Sequence, residues 1–233
     1  MKLFGNVIAI GVIGLGLAGG AQADTIATWT FESTLPATAG PFAAEVGTGS
    51  ALGSHASGAA VYSSPVGNGS AHSFSSNNWT VGDYYQFSVS TTGFTGINLS
   101  WDQTSSGTGP VDFKLAYSTN GSTFTDVASY QVLANASPNP VWNSSSASAL
   151  YTKSQNLSSL TGLDNQATVY FRLIDTSTIS AGGGTVGTGG TDRIDSFTVS
   201  GTSVSAVPVP AAIWLLGSGL LGLGGLVRRR CFA

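Results

Sequence analysis

Short runs of alternating apolar residues are the feature that most limits what this chain can fold into. Between Asp24 and Ser205, β-branched and aromatic residues recur with a period of two and give way to Gly, Ser, Asn or Pro. This pattern is typical of strands with one buried face. No stretch of about twelve residues in this region keeps the apolar stripe of a packed helix. The predicted strands are Thr25–Phe31, Tyr84–Ser90, Gly96–Trp101, Val111–Tyr117, Thr123–Leu133, Ala167–Ile174 and Arg193–Ser200.

The residue pattern of one of these strands predicts which face of its sheet is buried. Along Val111–Tyr117, large apolar side chains alternate with Asp112, Lys114 and Ala116, so one face should be buried and the other wet. More than seven strands in one all-β domain favour a jelly-roll-like β-sandwich over a minimal immunoglobulin fold. We place this domain at residues 24–206.

The connections between strands are predicted from their turn residues. Asn120-Gly121 favours a two-residue hairpin turn between the strands on either side of it. The Gly-, Ala- and Ser-rich segment Pro36–Gly82 is predicted to consist of long loops with a short strand near Ala59–Tyr62. Ala181–Gly190 is predicted to be a second glycine-rich loop, and it opens no helix that could cradle a phosphate.

Charge excludes one class of partner. The chain has 8 basic and 11 acidic residues. Four of the basic residues, Lys2 and Arg228 to Arg230, lie in the terminal segments, which leaves 4 basic against 11 acidic residues, about −7, in the central region. Such a surface repels phosphate backbones, so nucleic-acid binding is not expected. Cys231 is the only cysteine, which rules out an intrachain disulfide and a cysteine-based zinc site.

The N-terminus reads as an export signal. Lys2 precedes an apolar, glycine-rich run to Gly20, and small residues stand at Ala21 and Ala23. A positive charge, an apolar core and small residues at positions −3 and −1 are the three parts of a secretory signal peptide. The alternative is a buried N-terminal helix, which so many glycines would weaken. We predict a signal peptide over residues 1–23, cleaved after Ala23.

The C-terminal apolar run reads as a membrane anchor. No charged residue occurs from Ala211 to Val227, and a helix of that length spans about 26 Å. Arg228, Arg229 and Arg230 follow at once and should stay in the cytoplasm, which leaves the rest of the chain outside. The alternative, a buried helix of the soluble domain, gives the three arginines no role.

The residues before this helix, together with the helix and the arginines after it, resemble a known sorting signal. The motif Val207, Pro208, Val209, Pro210, Ala211, the small-residue-rich helix and the terminal arginines resemble the PEP-CTERM anchor of Gram-negative bacteria over residues 207–230, in its Val-Pro-Leu-Pro-Ala form. The resemblance implies that a membrane-embedded exosortase-like protease removes the helix and passes the protein to the cell surface or extracellular matrix. The two prolines hold the segment extended, as a protease requires. Val209 stands where the best-known form of the motif has Glu.

A second resemblance concerns the domain. Trp101-Asp102-Gln103 and the run Gly109–Gly121 resemble a hairpin of secreted bacterial jelly-roll domains, which are similar in architecture to carbohydrate-binding modules. Sugars pack their apolar faces on exposed rings while their hydroxyls bond to Asn, Asp and Gln. The candidate polysaccharide contacts are therefore Trp79, Tyr84, Trp101, Asp102, Gln103 and Trp142, with core packing as the alternative for each tryptophan. Trp29 is expected in the core.

Carboxylates near the first and last strands suggest a site for a metal ion. Glu32 follows the first strand, and Asp192 and Asp195 flank the start of the last. Jelly-roll sandwiches often bring these strands together, and oxygen ligands suit Ca²⁺, so a structural calcium site is one interpretation of these carboxylates. The alternative is a set of surface carboxylates in which Asp195 caps a turn.

No pattern points to catalysis, so we predict a protein that is not an enzyme. The only glutamates are Glu32 and Glu45, and no acidic pair has the arrangement that glycoside hydrolysis needs. His55 and His72 are predicted to be solvated or hydrogen-bonded loop residues. The expected function is that of an exported surface protein whose sandwich binds glycan or is structural. The alternative is a secreted, glycosidase-like hydrolase with an unrecognised site.

Overall fold

The computed structural model describes residues 23–204, which form an all-β domain. Within this range there are two short 3-10 turns, at Ala149–Tyr151 and Thr161–Leu163, and no α-helix. The all-β prediction is therefore confirmed. The strands are β1 (Ala23–Trp29), β2 (Phe42–Ala43), β3 (Val46–Gly47), β4 (Gly49–Ser54), β5 (Tyr62–Ser63), β6 (Phe74–Ser76), β7 (Tyr84–Val89), β8 (Phe94–Ser105), β9 (Asp112–Ser118), β10 (Thr125–Gln131), β11 (Leu133–Ala134), β12 (Thr152–Asn156), β13 (Val169–Asp175) and β14 (Asp192–Ser203).

The strands form two sheets, and the predicted sandwich is confirmed. The first sheet has the order β11-β8-β14-β1-β3, with β12 also beside β8 and with β6 beside β14 and β5. The second sheet has the order β10-β9-β13-β7-β4-β2. The pairs are antiparallel except for the two-residue pairing of β11 with β8. Because β1 lies beside β14, Ala23 stands opposite Thr202 in the first sheet.

The core lies between the sheets and is dominated by aromatic rings. Phe87 of β7 and Phe197 of β14 stack across it, with ring centroids 3.6 Å apart. Trp29 of β1 packs edge-on against both rings and is 0% exposed, as predicted. Its indole N–H donates to the carbonyl of Phe42, so the one polar atom of this ring is satisfied. Each such buried ring contributes roughly 2–3 kcal/mol of hydrophobic stabilisation.

The segment Pro36–Gly82 contains the predicted short strand, as β5, but it also contains four strands that its composition does not predict, β2, β3, β4 and β6. The small residues of β4 make room for aromatic rings of the core. A Cβ atom at Gly49 would lie 2.6 Å from the ring of Trp29, and one at Gly53 would lie 2.7 Å from the ring of Tyr62. A larger side chain at either position would therefore displace a core ring.

The predicted hairpin joins β9 to β10, but its turn is longer than two residues. Residues 119–124 form the connection. The side-chain oxygen of Asn120 accepts the backbone N–H groups of Ser122 and Thr123, each at 2.9 Å. This local turn competes with the tight hairpin geometry, so the two-residue prediction is wrong.

Two long connections, residues 64–73 between β5 and β6 and residues 135–151 between β11 and β12, cover the outer face of the first sheet near the middle of β8 and β14. They are joined by reciprocal hydrogen bonds between the Asn68 side chain and the backbone of Ser148, at 2.8 and 3.0 Å. Trp142 and Tyr151 pack edge-on beneath them with centroids 5.2 Å apart. Side chains on this outer face, including Asp195, are buried by this cover.

Two predicted segments lie outside the described residues. They are the signal peptide up to residue 22, with Ala21, and the sorting and anchor segment 207–230, with its terminal arginines. Of the predicted cleavage residues, Ala23 is described, as the first residue of β1. Between residues 23 and 204, no helix has the length and apolar composition to cross a bilayer.

Candidate functional site on the outer face of the second sheet

The outer face of the second sheet carries aromatic and polar side chains at the centre of β7 and β13. Both strands alternate between buried and partly exposed positions. This period of two places Tyr84 and Gln86 of β7 and Arg172 of β13 on the outer face, where Arg172 stands directly opposite Gln86 in the ladder. The inward residues that anchor the two strands are Tyr85, Phe87, Phe171 and Leu173, all 0% exposed.

Arg172 contacts two aromatic rings on this face. Its guanidinium carbon lies 4.0 Å from the centroid of the Tyr84 ring and 3.7 Å from that of Phe124. Its Nε donates to the side-chain oxygen of Gln86 at 2.8 Å. Cation–π contacts of this kind contribute about 0.5–2 kcal/mol each. We call these four residues the Arg172 stack. Burial lowers the pKa of Arg172, while the proximity of Tyr84 opposes that effect.

The connection 119–124 brings Phe124 onto this face. Gly121 has a φ of +73°, and a Cβ atom there would lie 3.1 Å from the ring of Tyr170. Tyr170 is two residues before Arg172 on β13 and therefore shares its face. The close approach of the chain to Tyr170 allows the connection to fold over the sheet and deliver Phe124.

A second cation lies beside the stack. Lys114 of β9 stands opposite Ile174 in the ladder, and its ammonium lies 2.9 Å from the carboxylate of Asp126. The Asp126 side chain is 62% exposed, so this ion pair contributes at most about 1 kcal/mol. Lys114 and Arg172 are two of the four basic residues between positions 23 and 204.

The three tryptophans predicted to contact sugar are buried instead. Trp79, Trp101 and Trp142 are each between 3% and 4% exposed. Their indole N–H groups donate inside the protein, to the Ser76 carbonyl, the Gln103 side chain and the Val66 carbonyl respectively. The prediction that these rings are open to a sugar is therefore wrong. Of the six predicted contacts, only Tyr84 lies on the open outer face of the second sheet.

Asp102 and Gln103 are also held in internal contacts. Asp102 accepts the hydroxyl of Thr152 at 2.6 Å, beneath the cover of the first sheet. The Gln103 amide is fully buried and links three groups, because its oxygen accepts from Trp101 and Tyr130 while its nitrogen donates to Asp192. The Gln103 side chain is therefore not free to bind a ligand, and one oxygen of the Asp102 carboxylate is already used.

The predicted calcium site is not assembled. Glu32 accepts the backbone N–H of His72, whereas Asp195 accepts the Asn68 backbone N–H and the Ser70 hydroxyl. Among residues 23–204, no group of three or more acidic, His or Cys side chains could hold a metal ion. The three carboxylates do not fit Ca²⁺, because each has its own hydrogen-bond donors. Asp195 is also no surface turn cap, since it is 0% exposed.

Burial raises the pKa values of two acids, Asp192 at the start of β14 and Asp175 at the end of β13. Asp192 accepts from Gln103 at 3.0 Å and from Ser105 at 2.9 Å, yet burial holds its pKa well above the usual range. Burial also raises the pKa of Asp175 to about 6, with repulsion from other carboxylates adding to the effect. One oxygen of Asp175 is buried and has no hydrogen-bond partner in the described part of the chain.

A buried chain of hydrogen bonds surrounds His55, and no motif in the sequence predicts it. Nδ1 of His55 lies 3.0 Å from a carboxylate oxygen of Asp83, and Nε2 lies 3.0 Å from the hydroxyl of Ser76. Ser76 also contacts the hydroxyl of Tyr85, which donates to the Asp192 carbonyl at 2.9 Å. The His55 side chain is 1% exposed, so the hydrogen-bonded alternative for this loop residue is right and the solvated one is wrong. Burial lowers the pKa of His55, and Asp83 opposes that effect.

His72, the other histidine, has the hydrogen-bonded character that was predicted. Its backbone N–H donates to Glu32 at 2.7 Å, and its ring nitrogen lies 3.4 Å from the Ser64 carbonyl.

No family model matches the sequence, and no curated protein matches it. Solved structures align with it at low similarity. The CBM22-1 and GH10 modules of a Clostridium thermocellum endo-1,4-β-D-xylanase, in complex with xylohexaose, align over 80% of this chain with a TM-score of 0.44 and 14% identity. The aligned part is 30% of that chain.

Two smaller domains align over most of their own length. The K1 cleaved adhesin domain of Lys-gingipain from Porphyromonas gingivalis aligns over 76% of this chain and 97% of its own, with a TM-score of 0.41 and 10% identity. The N-terminal cellulose-binding domain of Cellulomonas fimi β-1,4-glucanase C aligns over 75% and 87%, with a TM-score of 0.30 and 13% identity.

Proposed function

We propose that this chain is an exported, non-catalytic protein whose jelly-roll-like sandwich binds polysaccharide on the outer face of the second sheet. The Arg172 stack is the observation that carries this proposal. Its partly exposed rings, Tyr84 and Phe124, offer apolar surface to the face of a sugar, and the Gln86 amide offers polar atoms to sugar hydroxyls. The guanidinium contact fixes both rings in place, which lowers the entropy cost of binding.

A shallow depression continues the site along β4 and β7. It has a volume of about 310 Å³ and lies next to Gln86, because Ser88 follows two residues later on the same face. A linear polysaccharide lying along β7 could contact the Arg172 stack with one sugar and the hydroxyl groups that line the depression with the next. The polar side chains that line the depression are Thr48, Ser50, Ser88, Ser90 and Thr168.

Export and anchoring complete the proposal and are supported by the sequence motifs. The signal peptide would direct the chain through the inner membrane, with cleavage after Ala23. Residues 207–230 would hold it in the bilayer until an exosortase-like protease cuts near the Pro210-Ala211 bond. The sandwich would then be retained at the cell surface or in the extracellular polysaccharide matrix of a Gram-negative bacterium.

Polysaccharide binding is tested with the full-length protein in detergent. We expect retention on a glycan array, at least a tenfold loss for Tyr84→Ala, and unchanged retention for Leu150→Ala on the exposed cover of the first sheet. Equal retention by all three proteins would remove the second sheet as the binding face. Absence of retention on every glycan would leave a structural role for the sandwich.

Processing is tested by mass spectrometry of the surface-exposed protein from the producing cell. We expect a mature N-terminus at Asp24 and a C-terminus upstream of Ile213. A surface population that still carries Arg230 would contradict exosortase processing and indicate permanent anchoring.

Hydrolysis is the second candidate function, and one observation favours it. His55 contacts the carboxylate of Asp83 with one ring nitrogen and the hydroxyl of Ser76 with the other, which is the arrangement of a nucleophilic triad. The Ser76 side chain is buried, and its hydroxyl is shared with Tyr85, so a substrate has no route to it in this structure. We therefore rank binding above hydrolysis, and the two are separated by turnover of chromogenic esters and glycosides.

A further inference from the structure

We propose that the polysaccharide bound on this face is acidic, and that its carboxylate groups are recognised by Arg172 with support from Lys114. This inference rests on the proposed polysaccharide binding and names the class of ligand. It begins from charge, because residues 23–204 contain 11 acidic and 4 basic residues. This net charge repels a polyanion as a whole, so an acidic ligand could be held only where cations stand on one face, as Arg172 and Lys114 do.

Arg172 is not neutralised by the protein. Within the described residues, the ion pairs closer than 4.0 Å are those of His55 with Asp83 and of Lys114 with Asp126, so no carboxylate pairs with Arg172. Its Nε donates to Gln86, while its two Nη groups make no hydrogen bond in this part of the chain. These Nη groups are not among the buried unsatisfied atoms, so they reach solvent. The guanidinium therefore has donors available for an external acceptor.

The contacts of Arg172 also determine the shape of that acceptor. Rings of Tyr84 and Phe124 lie over the guanidinium at 4.0 and 3.7 Å, which leaves the edge with the Nη groups for a ligand. The N–H bonds of that edge lie in one plane and match the two oxygens of a carboxylate. A sugar hydroxyl can also accept from these donors, but it carries no charge and would leave the guanidinium charge unpaired.

Lys114 of β9 adds a second positive charge to the face that carries Arg172. It shares the outer face with Arg172, and its partner Asp126 is mostly exposed at the edge strand β10. An exposed pair of this kind is weak, so an incoming carboxylate can compete with Asp126 for the ammonium. We assign Lys114 a supporting role because its charge is already partly balanced.

The test compares two polymers that differ only in the carboxylate. Full-length protein in detergent is titrated with alginate, a polyuronate, and with carboxyl-reduced alginate, in which each carboxylate has become a primary alcohol. We expect at least tenfold tighter binding of alginate at low salt, and a preference that falls as NaCl is raised. Arg172→Gln should remove the preference, and Lys114→Gln should reduce it.

Lys153→Gln is the matched control, because it makes the same change in charge on β12 of the first sheet. It should retain the preference of the wild-type protein. If Arg172→Gln does not fold, judged by its melting transition, the Lys114→Gln variant and the salt dependence of the wild type still decide the question.

Three results would overturn the inference, and they differ in what they say about the proposed function. Equal binding of alginate and reduced alginate leaves polysaccharide binding intact but removes the acidic ligand. Binding of dextran sulfate as tight as that of alginate indicates a response to charge alone and contradicts recognition of the planar carboxylate. No binding to alginate, reduced alginate or any glycan on the array would remove both proposals.

Discussion

Phe87 and Phe197 lie face to face across the sandwich, with their ring planes only 2° from parallel. The first belongs to β7 in the second sheet and the second to β14 in the first, so this pair joins the sheets at the centre of the core. Trp29 closes the contact from one side. The position of the outer face of β7, and with it the Arg172 stack, therefore depends on this buried pair.

Truncation of Phe197 to alanine should destabilise the protein by about 3–5 kcal/mol, because it removes a buried ring and leaves a cavity beside Phe87 and Trp29. Urea unfolding followed by tryptophan fluorescence measures the free energy of unfolding. The exposed Val81→Ala serves as control and should change it by less than about 0.5 kcal/mol. Similar effects from both variants would show that the pair does not support the core as described.

Gly67→Ala should destabilise the cover of the first sheet, whereas Gly58→Ala should not. A Cβ atom at Gly67 would lie 2.0 Å from the Ser70 hydroxyl and 2.2 Å from a carboxylate oxygen of Asp195, while one at Gly58 meets nothing within 4 Å. We expect a loss of about 1–3 kcal/mol or more for the first and almost no change for the second. Thermal melting of the two variants provides the comparison, and equal melting temperatures would count against the tight packing.

Asp195→Asn should flatten the pH dependence of stability. Burial raises the pKa of Asp195 to about 6 from 3.8, and repulsion from Asp102 adds to the effect. A carboxyl with a raised pKa binds its proton more readily in the folded state, so the unfolding free energy should fall as pH rises from about 4 to 6 and stay lower above that range. The contribution of this group is about 2–3 kcal/mol.

The measurement is urea unfolding at pH 4.5 and pH 7. The difference in unfolding free energy between the two should shrink in Asp195→Asn, although Asp175 and Asp192 keep part of it because burial raises their pKa values as well. The exposed Asp24→Asn removes one carboxylate in the same way and serves as the matched control. An unchanged difference in Asp195→Asn would show that this carboxyl is not protonated on folding.

Ser76→Ala should cost stability and reveal no catalytic residue. The substitution leaves Nε2 of His55 and the hydroxyl of Tyr85 without their shared partner, at a cost of about 1–3 kcal/mol. A fluorophosphonate probe should leave Ser76 unlabelled in the native wild-type protein, because its hydroxyl is buried. Labelling at Ser76 that is lost in His55→Ala would support the hydrolase instead.

Trp101→Ala and Tyr84→Ala should weaken glycan retention for different reasons. Trp101 is buried and packs against Tyr130 and Phe197, so its loss should cost about 3–5 kcal/mol and reduce retention through unfolding. Tyr84 is partly exposed, so its loss should cost stability only through the cation–π contact with Arg172, about 0.5–2 kcal/mol, and should reduce retention at temperatures where the variant is still folded. Circular dichroism melting beside the array assay separates the two effects.

Much of the sandwich could be predicted because its larger strands alternate apolar and polar residues. β4 escaped prediction because its inward positions hold glycine and alanine, which carry no apolar signal. Their meaning depends on the Trp29 and Tyr62 rings that they accommodate, and these belong to distant strands. β12 escaped because Thr152–Asn156 is a polar strand paired with β8 alone. Tertiary contacts determine both elements.

The site was harder to predict because sequence does not tell which polar residues are inside. Aspartates such as Asp192 and Asp195 often bind metal ions at exposed sites, yet both are 0% exposed here and accept hydrogen bonds from internal donors. Arg172 carried one available signal, as a charged residue between the apolar Phe171 and Leu173 in a predicted strand. Its contacts with the rings of Tyr84 and Phe124 join distant parts of the chain, so the residues next to Arg172 in the sequence do not predict them.

The pairing of Ala23 with Thr202 means that the chain enters and leaves the sandwich at the same pole. Val89, the last residue of β7, is also at this pole, since the chain turns there into β8, whose first residue Phe94 stands opposite Ser203. Tyr84, at the start of β7, is therefore at the distal pole. A domain tethered through its C-terminal segment would hold this tyrosine outward, toward the surroundings of the cell, before any protease releases it.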